Sequence, residues 1–455
     1  MAPLVSLDDQ TEKRISLVYN SQSGLYQALD FSKIDDIESL LRNTSSPANA
    51  DAFGRVRVSD NYTLADYSHV YGEETELLTK TSGNASSITF DINKAKAILT
   101  IGTGANDYTI HQSRMYHHYM PGKSQVTLQS FNFTGARSGT NKRIGLFDDY
   151  NGIFFQLSGD GSKQLVLRSD VSGSVYNEII QQSDWNIDTC NGTGASNFNL
   201  NITNTQLFYS DYQWLGVGRV RAGFVHNGSF VVAHEFYNSN NKPSVYWSNP
   251  NLPVRCELRN YASGAGATAT SDQICATVIS EGGYSEAGVD FSARSNVITI
   301  QPGATSGILA IRLKTGYYGK PNRSVVRLNK MNLSSANENT IYELWRLPSS
   351  GYVSGGVWVS ANNDSVVEYN ITASGYNITS GLMIDAGLIS AGGLGAGSYG
   401  SASNTATVSS AKRNYISQNI DSTDSNVFAV KMINLNTGPG RTTDSLGVFQ
   451  WRETR

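Results

Sequence analysis

The chain is short of charge. Only 16% of its 455 residues are Asp, Glu, Lys or Arg, below the usual quarter, and it has ten prolines and three cysteines. Net charge is -3, so the basic footprint of a nucleic-acid binder is missing and no nucleic-acid partner is expected. No apolar run approaches the ~18 residues of a membrane span, so no membrane insertion is expected. The N-terminal MAPLVSLDDQTEKRISL has no basic start followed by an apolar run, so no secretory signal is read there. Cys190, Cys256 and Cys275 form no C-x-x-C, which leaves a zinc site unsupported; as an odd set in a chain read without an export signal they are expected to be reduced, structural thiols. N-x-S/T sequons recur from Asn43 to Asn377, and abundant Asn, Ser and Thr account for them.

Catalytic patterns are also missing. The E-x-D-x-x-E of many β-sandwich glucanases does not occur, nor does G-x-S-x-G. Gly122-Lys123-Ser124 resembles the end of a P-loop, but His117 stands where its first glycine is required. The acidic pairs Asp35-Asp36 and Asp148-Asp149 are explained by a helix start and a turn. His117 and His118 are adjacent, so on a strand they point to opposite faces and cannot share an ion. No cofactor, no metal and no enzymatic activity are expected.

What is present is glycine (43), tyrosine (24), Asn, Ser and Thr, the composition of turn-rich β-proteins. Residues 1–50 read as an arm. Its one helix is placed in DFSKIDDIESLLRN, with Ser32 as cap and Ile34, Ile37, Leu40 and Leu41 as an apolar stripe. Such a helix is marginal alone and is expected to dock on a neighbour. From about residue 52 the period is two. RIGLFDDYNGIFFQLSGDGSKQLVLRSD reads as three strands joined at Asn151-Gly152 and Asp160-Gly161. After Asp290 come further short strands, and the chain closes on what reads as a hairpin around a Gly-Pro-Gly loop. The expected fold is mainly β: a jelly-roll β-sandwich over 51–290 and a second antiparallel β-sandwich over 291–455, behind a short helical N-terminal arm.

GRVR occurs twice, at Gly54–Arg57 and Gly218–Arg221. In each copy two arginines alternate on one strand face while the intervening valine points the other way. A two-residue turn at Asn227-Gly228 pairs His226 with Ser229, Phe224 with Val231 and Ala222 with Ala233. That register sets Arg221 near His234 and turns Glu235 to the other face. Arg55, Arg57, Arg219, Arg221 and His234 are therefore the candidate interface residues, with carboxylates of a partner or of the other sheet as their counterparts.

Residues 48–72, ANADAFGRVRVSDNYTLADYSHVYG, resemble the start of a group of structural proteins of tailed bacteriophages frequent in marine and freshwater hosts. QWLGVGRVRAGFVHNGSFVVAHEFYN, WSNPNLPVRCELRN, CATVISEGGY and FQWRETR are similar to the same group. RIGLFDDYNGIFFQL with VGRVRAGFVHNG resembles concanavalin-like jelly rolls, a fold that holds lectins, glucanases and scaffolds alike. These resemblances imply a virion protein at tail, baseplate or fibre, assembled in the host cytoplasm. Its implied partners are copies of itself, other virion proteins and a host-surface glycan. Capsid decoration, a receptor-binding lectin or adhesin, and a polysaccharide depolymerase are the alternatives.

Overall fold

A computed structural model describes residues 5–7, 14–20, 25–28, 60–285, 288–371, 375–391, 404–406 and 415–455. The chain divides into two units, Met1–Val58 and Ser59–Arg455. In the first, Val5–Leu7, Arg14–Asn20 and Leu25–Ala28 pair as a three-stranded antiparallel sheet, which the sequence reading did not foresee. The expected helix of the arm and the first GRVR copy, with Arg55 and Arg57, lie outside the described residues.

Within Ser59–Arg455 the structure is antiparallel β, and helical turns among the described residues are three short 3-10 segments. Two sheets form a jelly-roll sandwich. One has seven strands in the order Tyr176–Gln181, Lys163–Ser169, Gly152–Leu157, Thr140–Phe147, Val254–Asn260, Tyr108–Ser113 and Leu78–Ser82. The other runs Ser229–Phe236, Val220–His226, Gln206–Tyr212, Ser124–Asn132, Ala269–Glu281, Lys96–Ile101 and Ser87–Asp91, with Asn61–Tyr67 added along the far half of Ala269–Glu281. Strict alternation in the central strands sends one set of side chains inward. Ile144, Leu146, Ile153, Phe155, Leu165, Phe208 and Phe224 meet in a core where Phe155 lies edge-on to Phe224 at 5.1 Å.

The three-strand meander forms as the sequence predicts, but its loops are longer than two residues. Phe147 pairs with Gly152, and Asp148 caps the loop by accepting from the N–H of Tyr150 and of Asn151, each at 2.8 Å. At Asn227-Gly228 the two-residue turn is realised, with φ of 50° and 78° at the two positions.

The second sandwich packs a five-stranded sheet, built on Val325–Ser335 and Thr443–Thr454, against a six-stranded sheet centred on Thr305–Leu313, Val427–Asn434 and Thr340–Leu347. Leu309, Ile311, Val326, Met331, Leu344, Phe428, Val430, Phe449 and Trp451 fill its core. The expected closing hairpin is not one. Val427–Asn434 and Thr443–Thr454 belong to different sheets, and the Gly-Pro-Gly segment carries the chain across the sandwich. Asn434 Nδ2 braces that crossing by donating to the Arg441 carbonyl at 2.7 Å.

The two sandwiches touch through charged and apolar contacts. Arg323 reaches from the second sandwich to Asp148, Nε to Oδ2 at 3.4 Å, and lies over the Tyr116 ring at 4.4 Å. Arg346 pairs with Glu76. Met115, Val325 and Tyr415 form a small buried cluster beside them.

Candidate functional site

The second GRVR copy leads into Val220–His226. The expected register holds near the turn, where Phe224 faces Val231, and then changes. A bulge opposite Ala222/Gly223 inserts one extra residue, so Ala222 faces His234 and Arg221 faces Glu235. This corrects two expectations: Arg221 is opposite Glu235 rather than His234, and Glu235 shares the arginine face. Arg221 is fully buried and grips Asp211 of the adjacent strand with two bonds, Nε to Oδ1 at 2.8 Å and Nη2 to Oδ2 at 2.6 Å. Burial opposes its charge, but Asp211, with Tyr209 and Glu235, outweighs burial and raises the guanidinium pKa. Arg219 stands 3.3 Å from Glu235, whose second oxygen takes the Tyr237 hydroxyl proton bond. The carboxylates expected from a partner or the other sheet thus come from neighbouring strands of the same sheet. His234 sits on the core side, edge-on to Phe236 at 4.6 Å, and accepts from the Asn186 N–H at Nδ1. Burial lowers its pKa to about 4, so it is neutral.

A second constellation covers the outer face of the seven-stranded sheet. Alternation along VRCELRN puts Val254, Cys256 and Leu258 inward and Arg255, Glu257 and Arg259 outward. Arg143 lies directly across from Glu257. Glu257 accepts from Arg143 Nη1 at 2.6 Å, Arg255 Nη2 at 2.5 Å and Arg259 Nε at 3.2 Å. The guanidinium planes of Arg143 and Arg168 lie 5.5 and 5.0 Å over Phe154, and that of Arg255 lies 5.3 Å over Phe147. Burial alone would raise the Glu257 pKa, but Arg255 and then Arg143 hold it well below the carboxylate range. Ionised and saturated with donors, Glu257 has no proton to give at neutral pH.

Beside this network lies a polar groove of about 330 Å³, lined by Thr79, Lys80, Tyr108, Asp149, Arg259 and the Asn419–Asp421 loop. Asp149 is 46% exposed at its side chain and is held by Arg255 Nη2 at 2.9 Å. Asp148 is buried in its turn and faces Arg323. The groove brings charged groups of both signs around Tyr108, whose ring lies 5.5 Å under the Arg259 guanidinium, and Lys80 is paired with Glu73 at 2.8 Å. The sequence reading identified none of the arginines of this face. Its only trace is the charge alternation of VRCELRN, which single-strand inspection cannot tell from a solvated face.

The cysteines are free. Cys190 and Cys256 are buried, and burial pushes both thiols up to about 12, which makes them poor nucleophiles at neutral pH. Among the described residues no group of three or more His, Cys, Asp and Glu side chains converges on a point where an ion could sit.

No protein-family model matches the chain, and no curated protein matches it. Solved structures similar to it include a glycoside hydrolase family 16 endo-glucanase from Bacteroides ovatus, at 10% identity over 47% of this chain and 99% of that chain, TM-score 0.32. A protein of unknown function from Shewanella oneidensis aligns at 10% identity over 55% of this chain and 97% of its own, TM-score 0.32. The carbohydrate recognition domain of Emp46p aligns at 10% identity over 48% and 95%, TM-score 0.27.

Proposed function

We propose that this protein is a structural component of a tailed-phage virion, at the tail, baseplate or fibre, that works through its sheet surfaces and not through a catalytic centre. The observation that carries the non-catalytic part is the state of the buried carboxylates. Asp211 and Glu257 are each consumed by guanidinium partners, and Asp148 by its own turn and Arg323. An acid–base pair for glycoside hydrolysis needs one carboxyl that keeps its proton, and Arg255 and Arg143 hold Glu257 well below the carboxylate range. The virion assignment rests on the similarity of the quoted segments to tailed-phage structural proteins. Copies of the same chain and other virion proteins are its partners in this reading, and assembly takes place in the host cytoplasm. Capsid decoration is a variant of the same proposal. Mass spectrometry of purified particles tests it: the protein should be found at stoichiometric copy number, and its absence from the particle would end the proposal.

A receptor-binding role for a host-surface glycan is the second reading, favoured by the polar groove beside Tyr108 and Arg259. Glycan-array binding that Tyr108→Ala and Arg259→Ala both abolish would support it, and an empty array would count against it.

A further inference from the structure

The jelly roll is open along one edge. There Lys163–Ser169 and Tyr176–Gln181 of one sheet lie on one side, Val220–His226 and Ser229–Phe236 of the other sheet on the other, with residues 237–246 completing the wall. The gap leads into a cavity of about 510 Å³, within the range of small-molecule sites. Its walls include the core side chains Leu167, Val220, Phe236 and Tyr246, each less than a tenth exposed. Lys242 and Glu178, which also line it, form an ion pair in which Nζ is 3.0 Å from Oε2 and 3.2 Å from Oε1. The side chains of this pair are 47% and 29% exposed, so it exchanges partners at little cost.

We propose that this cavity binds a neutral apolar molecule bearing a hydroxyl group, a linear alcohol or a phenol. The apolar body lies among Leu167, Val220 and Phe236, where it displaces water from core-type walls. The hydroxyl sits at the Lys242–Glu178 pair. The argument is one of charge. A hydroxyl donates to the Glu178 carboxylate and accepts from the Lys242 ammonium, so it enters the pair without upsetting its neutrality. A carboxylate head would face Glu178, and an ammonium head would face Lys242; each loses one of the two bonds and adds a like-charge contact. This site is separate from the polar groove and independent of where the protein sits on a particle.

Calorimetric titration of the intact protein with hexanol, octanol and decanol, and with octanoate and octylammonium, tests the proposal. Affinity should rise about fourfold per methylene along the alcohols. Octanol should bind at least tenfold more tightly than either charged analogue. Val171→Trp, at a half-buried position of the lining, should reduce octanol affinity at least tenfold without shifting the melting temperature. Ser172→Trp, at an exposed position of the same lining, gives the same readout if the first variant fails to fold. Lys242→Met should narrow the gap between octanol and octylammonium. Absence of binding, an affinity flat in chain length, or preference for a charged head would overturn the proposal.

Discussion

His117 shows how much a single side chain settles. Its Nδ1 lies 2.8 Å from the Leu252 carbonyl, which can only accept, so Nδ1 carries the proton. Nε2 is then the acceptor for the Tyr67 hydroxyl at 2.9 Å. A second proton on the ring would turn that bond into two facing donors. Burial lowers the pKa of His117 to about 4, and burial does the same to His111 and His234. These folded-state values lie below the ordinary 6.5, so the unfolded chain takes up protons first as pH falls. The stabilisation is complete above pH 6.5 and is lost between 6.5 and 4, at about 1.4 kcal/mol per pH unit for each histidine. Thermal denaturation followed from pH 7 to 4 should show this fall, and His117→Gln should shed one histidine's share of the slope. An unchanged slope would mean that His117 titrates normally.

Elements differ in how strictly they specify a residue, and glycines show the contrast. Gly145 pairs with Phe154 across the meander, on the face where arginines cover aromatic rings. A Cβ there would stand 2.6 Å from Phe154 Cα and closer still to the Ile153 carbonyl. Gly228 has φ of 78° but open space around it. Gly228→Ala should therefore cost about 1 kcal/mol through backbone strain alone. Gly145→Ala should cost more, on the order of 2–3 kcal/mol, because backbone must move. Urea denaturation of the two variants orders them, and equal costs would contradict the steric account. Strands and turns of this kind were legible in the sequence, since period two and Asn-Gly are local signals. The bulge opposite Ala222/Gly223 was not read, although Gly223 stands alone inside the strand at the register shift, where an isolated glycine is a bulge signal. The extra residue of the bulge moved Glu235 to the arginine face and His234 to the core. The groove was illegible for a different reason: Tyr108, Asp149, Arg259 and Asp421 meet only through tertiary folding.

Across the whole unit Ser59–Arg455, two large hydrophobic cores meet at a joint of ion pairs and a small apolar cluster. Arg323 bridges them: its Nε lies 3.4 Å from Asp148 Oδ2 and its guanidinium lies over the Tyr116 ring. Removing a buried charge partner usually costs several kcal/mol, and here the loss falls on the joint and not on either core. Arg323→Met should leave both sandwiches folded but divide one calorimetric unfolding transition into two; a single transition at unchanged temperature would show that the joint does not depend on this residue.

The position of Val254–Asn260 bears on how the molecule comes into being. It is inserted between Tyr108–Ser113 and Thr140–Phe147, and its Glu257 answers an arginine 114 residues earlier in the chain. The ionic pairing of Arg143 and Arg255 in this sheet thus depends on a strand that comes later in the chain than the meander. Long-range pairing of this sort makes for slow folding. It also makes Glu257 the carboxylate that ties the meander to a distant part of the chain.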